Sequence, residues 1–168
     1  MPSALLTRID LDKLYPPFAY KVIELVGRCH DQGVDYYATS GFRTPEEQLL
    51  LWRKGRSVDG KIIDPKAVVT TKKFGAHNVS VACDLTFDKD LNKTGLQPSW
   101  NRPDYELLAR EAVKLKLESG HYWTGLPDSP HVQLPLNSKG ILLSKLRLLE
   151  QVGGLEAVWK HLDKYSWD

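Results

Sequence analysis

The segment that most constrains the fold is residues 79–87, VSVACDLTF, a run of apolar and β-forming side chains with one carboxylate inside it. This length and composition predict a strand. An ionised carboxylate at a buried position costs free energy unless it has a partner, so Asp84 needs an explanation. Two ordinary explanations are a side chain that reaches solvent and a hydrogen bond to a neighbouring loop, and a third is a bound metal ion.

The remaining patterns predict helices around several short strands. Thr44, Pro45 and Glu47 form a capping-box sequence with proline at the first helical position, which marks a helix start. The predicted strands are 34–39, 67–71, 79–87 and 131–134, and the predicted helices are 17–32, 45–54, 104–117 and two after residue 138, separated at 153–154. This pattern indicates one α+β domain over residues 1–168, with a core at about 15–137 and a helical segment at 138–168.

The composition argues against several classes of protein. The formal net charge is +2 and there is no basic stripe with interleaved aromatics, so no nucleic-acid partner is expected. No apolar run is long enough for a membrane span, and the N-terminal residues lack a secretory-signal pattern. Cys29 lies on the apolar face of a predicted helix and Cys83 in the predicted strand, so two buried free thiols are expected. We therefore expect synthesis in a reducing cytoplasm, without stable membrane insertion.

Three residues have the side chains that hold catalytic zinc ions. His77 precedes the strand, Asp84 lies inside it, and His131 follows the segment Asp128-Ser129-Pro130. Imidazole nitrogens and carboxylate oxygens supply three ligands in such sites, and the fourth position holds water. A separate carboxylate near that water can act as general base, and Asp128 is placed for that role. The alternatives are a polar loop histidine at His77 and a turn-capping aspartate before Pro130.

Three blocks, in this order, resemble the zinc peptidases that include D-alanyl-D-alanine carboxypeptidases and dipeptidases and the L-alanyl-D-glutamate endopeptidases of phage endolysins. The blocks are SGFRTPEEQLLLW, FGAHNVSVACDLTF and HYWTGLPDSPHVQL, within residues 34–135. In that family the middle block usually reads Ser-x-His-x-x-Gly-x-Ala-x-Asp. Here His77, Ala82 and Asp84 match, whereas Gly75 replaces the serine and Ser80 replaces the glycine. The resemblance implies a small antiparallel sheet flanked by helices, the hedgehog/D,D-peptidase-like fold.

The resemblance also assigns roles to individual residues. It implies zinc ligands at His77, Asp84 and His131, and a general base at Asp128. Arg43 matches the family's substrate-binding arginine and is expected to assist the oxyanion, because a guanidinium offers a rigid fork to a carboxylate or a polarised carbonyl. The expected substrate contacts are Arg43, Gln48, His121, Tyr122 and Trp123, with His121 behind the ligands or at the edge of the cleft.

These expectations describe a zinc metallopeptidase that hydrolyses an amide bond in the stem peptide of bacterial peptidoglycan. The Asp-x-Pro-His sequence of the third block resembles the endopeptidase branch, which favours cleavage of L-alanyl-D-glutamate. Because the N-terminal residues lack a secretory-signal pattern, we expect a monomeric, bacteriolytic phage endolysin with antimicrobial action. Such an enzyme would accumulate in the host cytoplasm and reach the wall after a partner protein opens the membrane. The alternatives are a D-alanyl-D-alanine carboxypeptidase or dipeptidase, and a non-catalytic wall- or protein-binding module with a structural zinc, as in the related hedgehog domain.

Overall fold

The computed structural model describes residues 3–168 as four α-helices around one four-stranded sheet. The helices are α1 (Pro16–Asp31), α2 (Pro45–Arg53), α3 (Glu106–Lys114) and α4 (Leu143–Leu162), and the strands are β1 (Tyr36–Ser40), β2 (Ala82–Phe87), β3 (Glu118–Ser119) and β4 (His131–Gln133). All neighbouring strands are antiparallel, in the order β1-β2-β4-β3. The predicted α+β fold with a small antiparallel sheet flanked by helices is confirmed.

The register of the sheet brings distant parts of the chain to Asp84. This residue of β2 lies opposite His131 in β4 and opposite Ser40 at the end of β1, where a register irregularity follows Ala38. Directly opposed residues of an antiparallel pair have close Cβ atoms on one face of the sheet. The sheet therefore places a carboxylate beside an imidazole on its two central strands.

Helix α1 packs its apolar side into the core. It buries side chains that recur at helical spacing, namely Phe18, Val22, Leu25, Val26 and Cys29, as the sequence predicts. Each large apolar side chain buried in this way contributes about 1.5–3 kcal/mol. Cys29 and Cys83 are both buried free thiols, as expected, and burial raises the pKa of Cys29 to about 12.

The predicted strand at 67–71 is wrong. Pro65–Ala67 forms a short 3₁₀ helix instead, and the Asp64 carboxylate caps it by accepting a hydrogen bond from the Lys66 amide. A β-forming run becomes a strand only where another strand offers hydrogen bonds, and within residues 3–168 no strand pairs with this run.

The structure also changes the predicted start of β2 and locates the predicted break between the last two helices. Strand β2 starts at Ala82 rather than at residue 79, because Ala76–Val79 forms a 3₁₀ helix that ends at Ser80 in the left-handed region, with φ 65°. The predicted break between the last two helices is a kink in α4 at Gly154, where φ is also 65°. Of the helices in the described part of the chain, none is long and apolar enough to cross a membrane.

Candidate metal centre

His77, Asp84 and His131 lie together, with one ligand atom from each residue within 4.8 Å of the other two. The Asp84 Oδ1 atom is 3.3 Å from His77 Nε2 and 3.2 Å from His131 Nδ1. A tetrahedral zinc ion with bonds of about 2.0–2.2 Å separates its ligand atoms by about 3.3–3.6 Å. The three donors therefore have the chemistry and close to the spacing of a zinc site.

His77 reaches this site from the 3₁₀ helix Ala76–Val79 rather than from the sheet. The neighbouring Asn78 is completely buried and fixes this segment. Its Oδ1 atom accepts a hydrogen bond from the Gly75 amide at 2.7 Å, and its Nδ2 atom donates to the carbonyl of Arg43 at 2.8 Å. The Arg43 amide donates in turn to the His77 carbonyl at 3.2 Å. Asn78 is not among the residues predicted from the sequence, although asparagine side chains often hydrogen-bond to neighbouring backbone groups.

Hydrogen bonds on the far sides of the two imidazoles set their tautomers. His77 Nδ1 lies 2.7 Å from the Gly41 carbonyl, which can only accept, so Nδ1 carries a proton and Nε2, on the Asp84 side, is left to bind a metal ion. His131 Nε2 lies 2.9 Å from Gln133 Oε1, so the amide oxygen accepts from Nε2 and Nδ1, on the Asp84 side, is left to bind a metal ion. Metal-binding histidines have this kind of outer partner, which holds the ring in its ligating tautomer.

The charges of the site support an ionised Asp84. Burial opposes ionisation, but the adjacent His77 and His131 outweigh it and hold the pKa of the Asp84 carboxyl well below its usual range. The same proximity raises the pKa of His131 despite its burial. A divalent cation at this position would take the place of the imidazole protons as partner of the carboxylate.

Asp128 lies in a tight turn beside His131. Its amide donates to the Gly120 carbonyl at 2.9 Å, and its carbonyl accepts from the His131 amide at 3.1 Å. A Cβ atom on Gly120 would lie 2.4 Å from the Asp128 carbonyl oxygen, so only glycine permits this approach. Burial, followed by repulsion from Asp84, raises the pKa of the Asp128 carboxyl.

The His121 side chain packs against this turn through Ser129. It is 1% exposed, and its two ring nitrogens lie 3.1 Å from Ser129 Oγ and 3.0 Å from Glu106 Oε2. The side chain thus ties the turn to helix α3, behind the ligands. Its predicted contact with substrate stays a prediction.

Arg43 and Gln48 form a pair next to the ligands. The Arg43 guanidinium donates to Gln48 Oε1 at 2.8 Å and to Ser40 Oγ at 2.9 Å, and it lies 3.9 Å from Asp84 Oδ2. Gln48 is buried and donates to the Lys72 carbonyl at 2.7 Å. Gln48 therefore orients Arg43 toward the site.

The aromatic residues of the third block lie on the other side of the ligands. The Trp123 ring packs against His131 with centroids 4.9 Å apart, and its indole N–H donates to Glu118 at 2.7 Å. Tyr122 is about half exposed, at 49%, and meets His121 edge-on. The structure thus brings the predicted ligands, Asp128, Arg43 and Trp123 into one region.

The fold and the His–Asp–His group define a class, an α+β protein with a small antiparallel sheet and a site that can hold a metal ion. The chain is 28% identical over 130 residues to peptidoglycan L-alanyl-D-glutamate endopeptidase CwlK of Bacillus subtilis (strain 168). The aligned region covers 72% of this chain and 73% of that protein. The crystal structure of Serratia marcescens L-Ala D-Glu endopeptidase ChiX has a similar fold, with a TM-score of 0.53 and 22% identity over 77% of this chain and 86% of that one.

No family model matches the sequence. The similarity to CwlK, together with the shared fold of ChiX, nevertheless confirms the resemblance to the peptidase family that the three sequence blocks indicate.

Proposed function

We propose that this chain is a zinc-dependent peptidoglycan endopeptidase that hydrolyses the L-alanyl-D-glutamate bond of the stem peptide. The proposal is supported by the spacing of His77, Asp84 and His131, whose donor atoms lie within 4.8 Å of one another, with Asp84 Oδ1 3.3 Å and 3.2 Å from the two imidazoles. The names of both similar proteins, CwlK and ChiX, specify this same bond.

A zinc ion held by these three residues would supply a water molecule of lowered pKa and would polarise the scissile carbonyl. The chain's own part is proton transfer and positioning. Asp128 accepts the proton of the attacking water and returns it to the departing amine. Because burial and Asp84 raise the pKa of the Asp128 carboxyl, it is a stronger base than an ordinary aspartate.

Arg43 supplies the second cationic group of the proposed mechanism. Its guanidinium is fixed by Ser40 and Gln48, so little side-chain freedom is lost when it binds a carbonyl oxygen or carboxylate of the substrate. Trp123 packs on His131 and excludes water from that side of the imidazole.

The test is digestion of purified peptidoglycan by the zinc-loaded protein, followed by mass analysis of the released fragments. Endopeptidase activity produces a new amino-terminal glutamyl residue and a new alanyl carboxyl terminus. Release of free D-alanine instead would identify a D-alanyl-D-alanine carboxypeptidase. Zinc binding with no fragment released would indicate a non-catalytic module, and Asp128→Asn is the matched variant that keeps the ligands but lacks the base.

The biological setting is also part of the proposal. The Asp-x-Pro-His sequence resembles that of the endopeptidase branch, which includes phage endolysins, and we propose that the chain is a monomeric endolysin that reaches the wall from the host cytoplasm. In that case, cells that express the chain in the cytoplasm lyse only after their membrane is permeabilised. Lysis without permeabilisation would contradict this role.

A further inference from the structure

A groove of about 590 Å³ lies beside the metal centre, between the N-terminal segment and helix α2. It is continuous with the site, because Gly41 and Arg43 belong to both. The Gly41 carbonyl accepts the hydrogen bond of His77, and Arg43 lies 3.9 Å from Asp84. A chain bound along this groove would therefore continue into the region of the proposed scissile bond.

The groove has an excess of positive charge. It is lined by four basic side chains and two acidic ones, Arg8, Lys13, Arg43, Lys54, Asp10 and Glu47. The rest of the chain is balanced, with 19 basic and 19 acidic side chains. The groove's excess of two basic side chains thus equals the net charge of the whole protein, +2.

The two carboxylates of the groove already bind backbone amides. Asp10 accepts a hydrogen bond from the Asp12 amide, and Glu47 accepts one from the Thr44 amide in the capping box of α2. By contrast, the side chains of Arg8, Lys13 and Lys54 have no ion pair within residues 3–168. Three cations are therefore available to an anionic ligand.

The segments that present these cations are held in place. Leu5, Leu6 and Leu14 are buried, so the N-terminal segment that presents Arg8 and Lys13 is anchored in the core. On the other wall, Arg43 precedes α2 and Lys54 follows it, which separates them by about 14 Å along a helix of nine residues. An extended peptide of four residues has about this length.

We propose that this groove binds the stem peptide on the glutamyl side of the scissile bond, with the peptide's free carboxylates paired to Arg8, Lys13 and Lys54. This inference rests on the proposed function, because cleavage before a glutamyl residue leaves the anionic part of the peptide on that side. The alanyl side has an uncharged side chain. The direction of the bound peptide follows from this difference in charge.

The experiment compares cleavage of soluble stem-peptide fragments by the zinc-loaded wild type and a triple variant, Arg8→Gln, Lys13→Gln and Lys54→Gln. An exposed ion pair changes affinity by about twofold to fivefold. Because the variant loses three such pairs, we expect its KM to rise about tenfold to a hundredfold, with kcat within about twofold of the wild-type value. When the carboxylates of the peptide are amidated, its KM with the wild type should rise by a similar factor. The KM of the amidated peptide should then be the same for the wild type and the variant.

The matched control is a triple variant with the same loss of charge at exposed basic residues outside the groove, Arg102→Gln, Lys139→Gln and Lys164→Gln. Its KM should stay within about twofold of the wild-type value. An equal rise in KM for this control would overturn the proposal, since the effect would then be one of overall charge. An unchanged KM for the groove variant, or an equal loss on the amidated peptide, would overturn it too.

Binding measurements separate this inference from the proposed function. If the wild type cleaves no peptide, the proposed function is wrong, and equilibrium dialysis of the same peptide then decides on the groove. Equal binding by wild type and groove variant would refute the groove. Groove-dependent binding of a poly(glycerol phosphate) chain, without groove-dependent binding of the peptide, would identify a phosphate polymer as the ligand and would also overturn the inference.

Discussion

Ser80 is the residue whose replacement is most informative about the local structure at the metal centre. It has a left-handed backbone conformation, with φ 65° and ψ 25°, which favours glycine. It is also completely buried, and its hydroxyl has no hydrogen-bond partner within the described residues. We expect Ser80→Gly to stabilise the protein because it removes both unfavourable features.

The magnitude follows from three contributions. Relief of the left-handed conformation contributes about 1–2 kcal/mol. Removal of a buried, unpaired hydroxyl contributes about 1 kcal/mol or more. The larger backbone entropy of glycine in the unfolded chain offsets about 0.5–1 kcal/mol. The expected gain is about 2 kcal/mol, of which Ser80→Ala should keep only the part due to the hydroxyl, about 1 kcal/mol.

Urea denaturation in the presence of a chelator measures these differences without a contribution from bound metal. The three proteins should have equal m-values, so that midpoint shifts report stability alone. A free energy of unfolding for Ser80→Gly equal to or below that of wild type would show that Ser80 does not destabilise the folded protein. A gain as large in Ser80→Ala as in Ser80→Gly would show that backbone conformation contributes nothing.

Three further predictions concern other parts of the molecule. Gln133→Leu removes the acceptor that fixes the His131 tautomer, so zinc binding should weaken about tenfold to a hundredfold. Competition with a chromophoric chelator measures this affinity, and an unchanged affinity would contradict the role of Gln133. Cys29 has a pKa of about 12, so the native protein should resist alkylation by iodoacetamide at pH 8 and react only when unfolded, as mass spectrometry would show; rapid labelling of native Cys29 would contradict its burial. Burial and a hydrogen bond to Asp163 raise the pKa of Tyr15 to about 12, so the folded state keeps a proton that the unfolded state loses above about pH 10. Between about pH 10 and 12, the free energy of unfolding should therefore fall more steeply with pH in wild type than in Tyr15→Phe, by up to about 1.4 kcal/mol per pH unit. Equal slopes for the two proteins would contradict this.

The elements of the fold were predictable where the local pattern determines them. The spacing of Phe18, Val22 and Leu25 predicts α1, and the capping box at Thr44 predicts the start of α2 at Pro45, where the structure has it. Local sequence does not determine whether residues 67–71 form a strand, because strand formation depends on a partner strand elsewhere in the chain.

The candidate site was predictable to the extent that its residues are unusual for their surroundings. Asp84 in an apolar strand requires a partner, and the structure supplies His77 and His131. The sequence alone does not reveal that Asp84 lies opposite His131, since that register depends on how two distant segments pair. Nor does it reveal the supporting contacts of Asn78 and Gln133, which arise from tertiary packing.

We propose that a metal held by His77, Asp84 and His131 makes this chain an endopeptidase of the peptidoglycan stem peptide. The most direct measurement is mass analysis of fragments from purified peptidoglycan treated with the zinc-loaded protein, with the protein after chelation, and with the chelated protein after zinc is restored. We expect peptides with a new amino-terminal glutamyl residue, which disappear on chelation and return with zinc. Cleavage that persists when metal analysis finds no bound metal, or the absence of any cleaved amide with zinc bound, would contradict it.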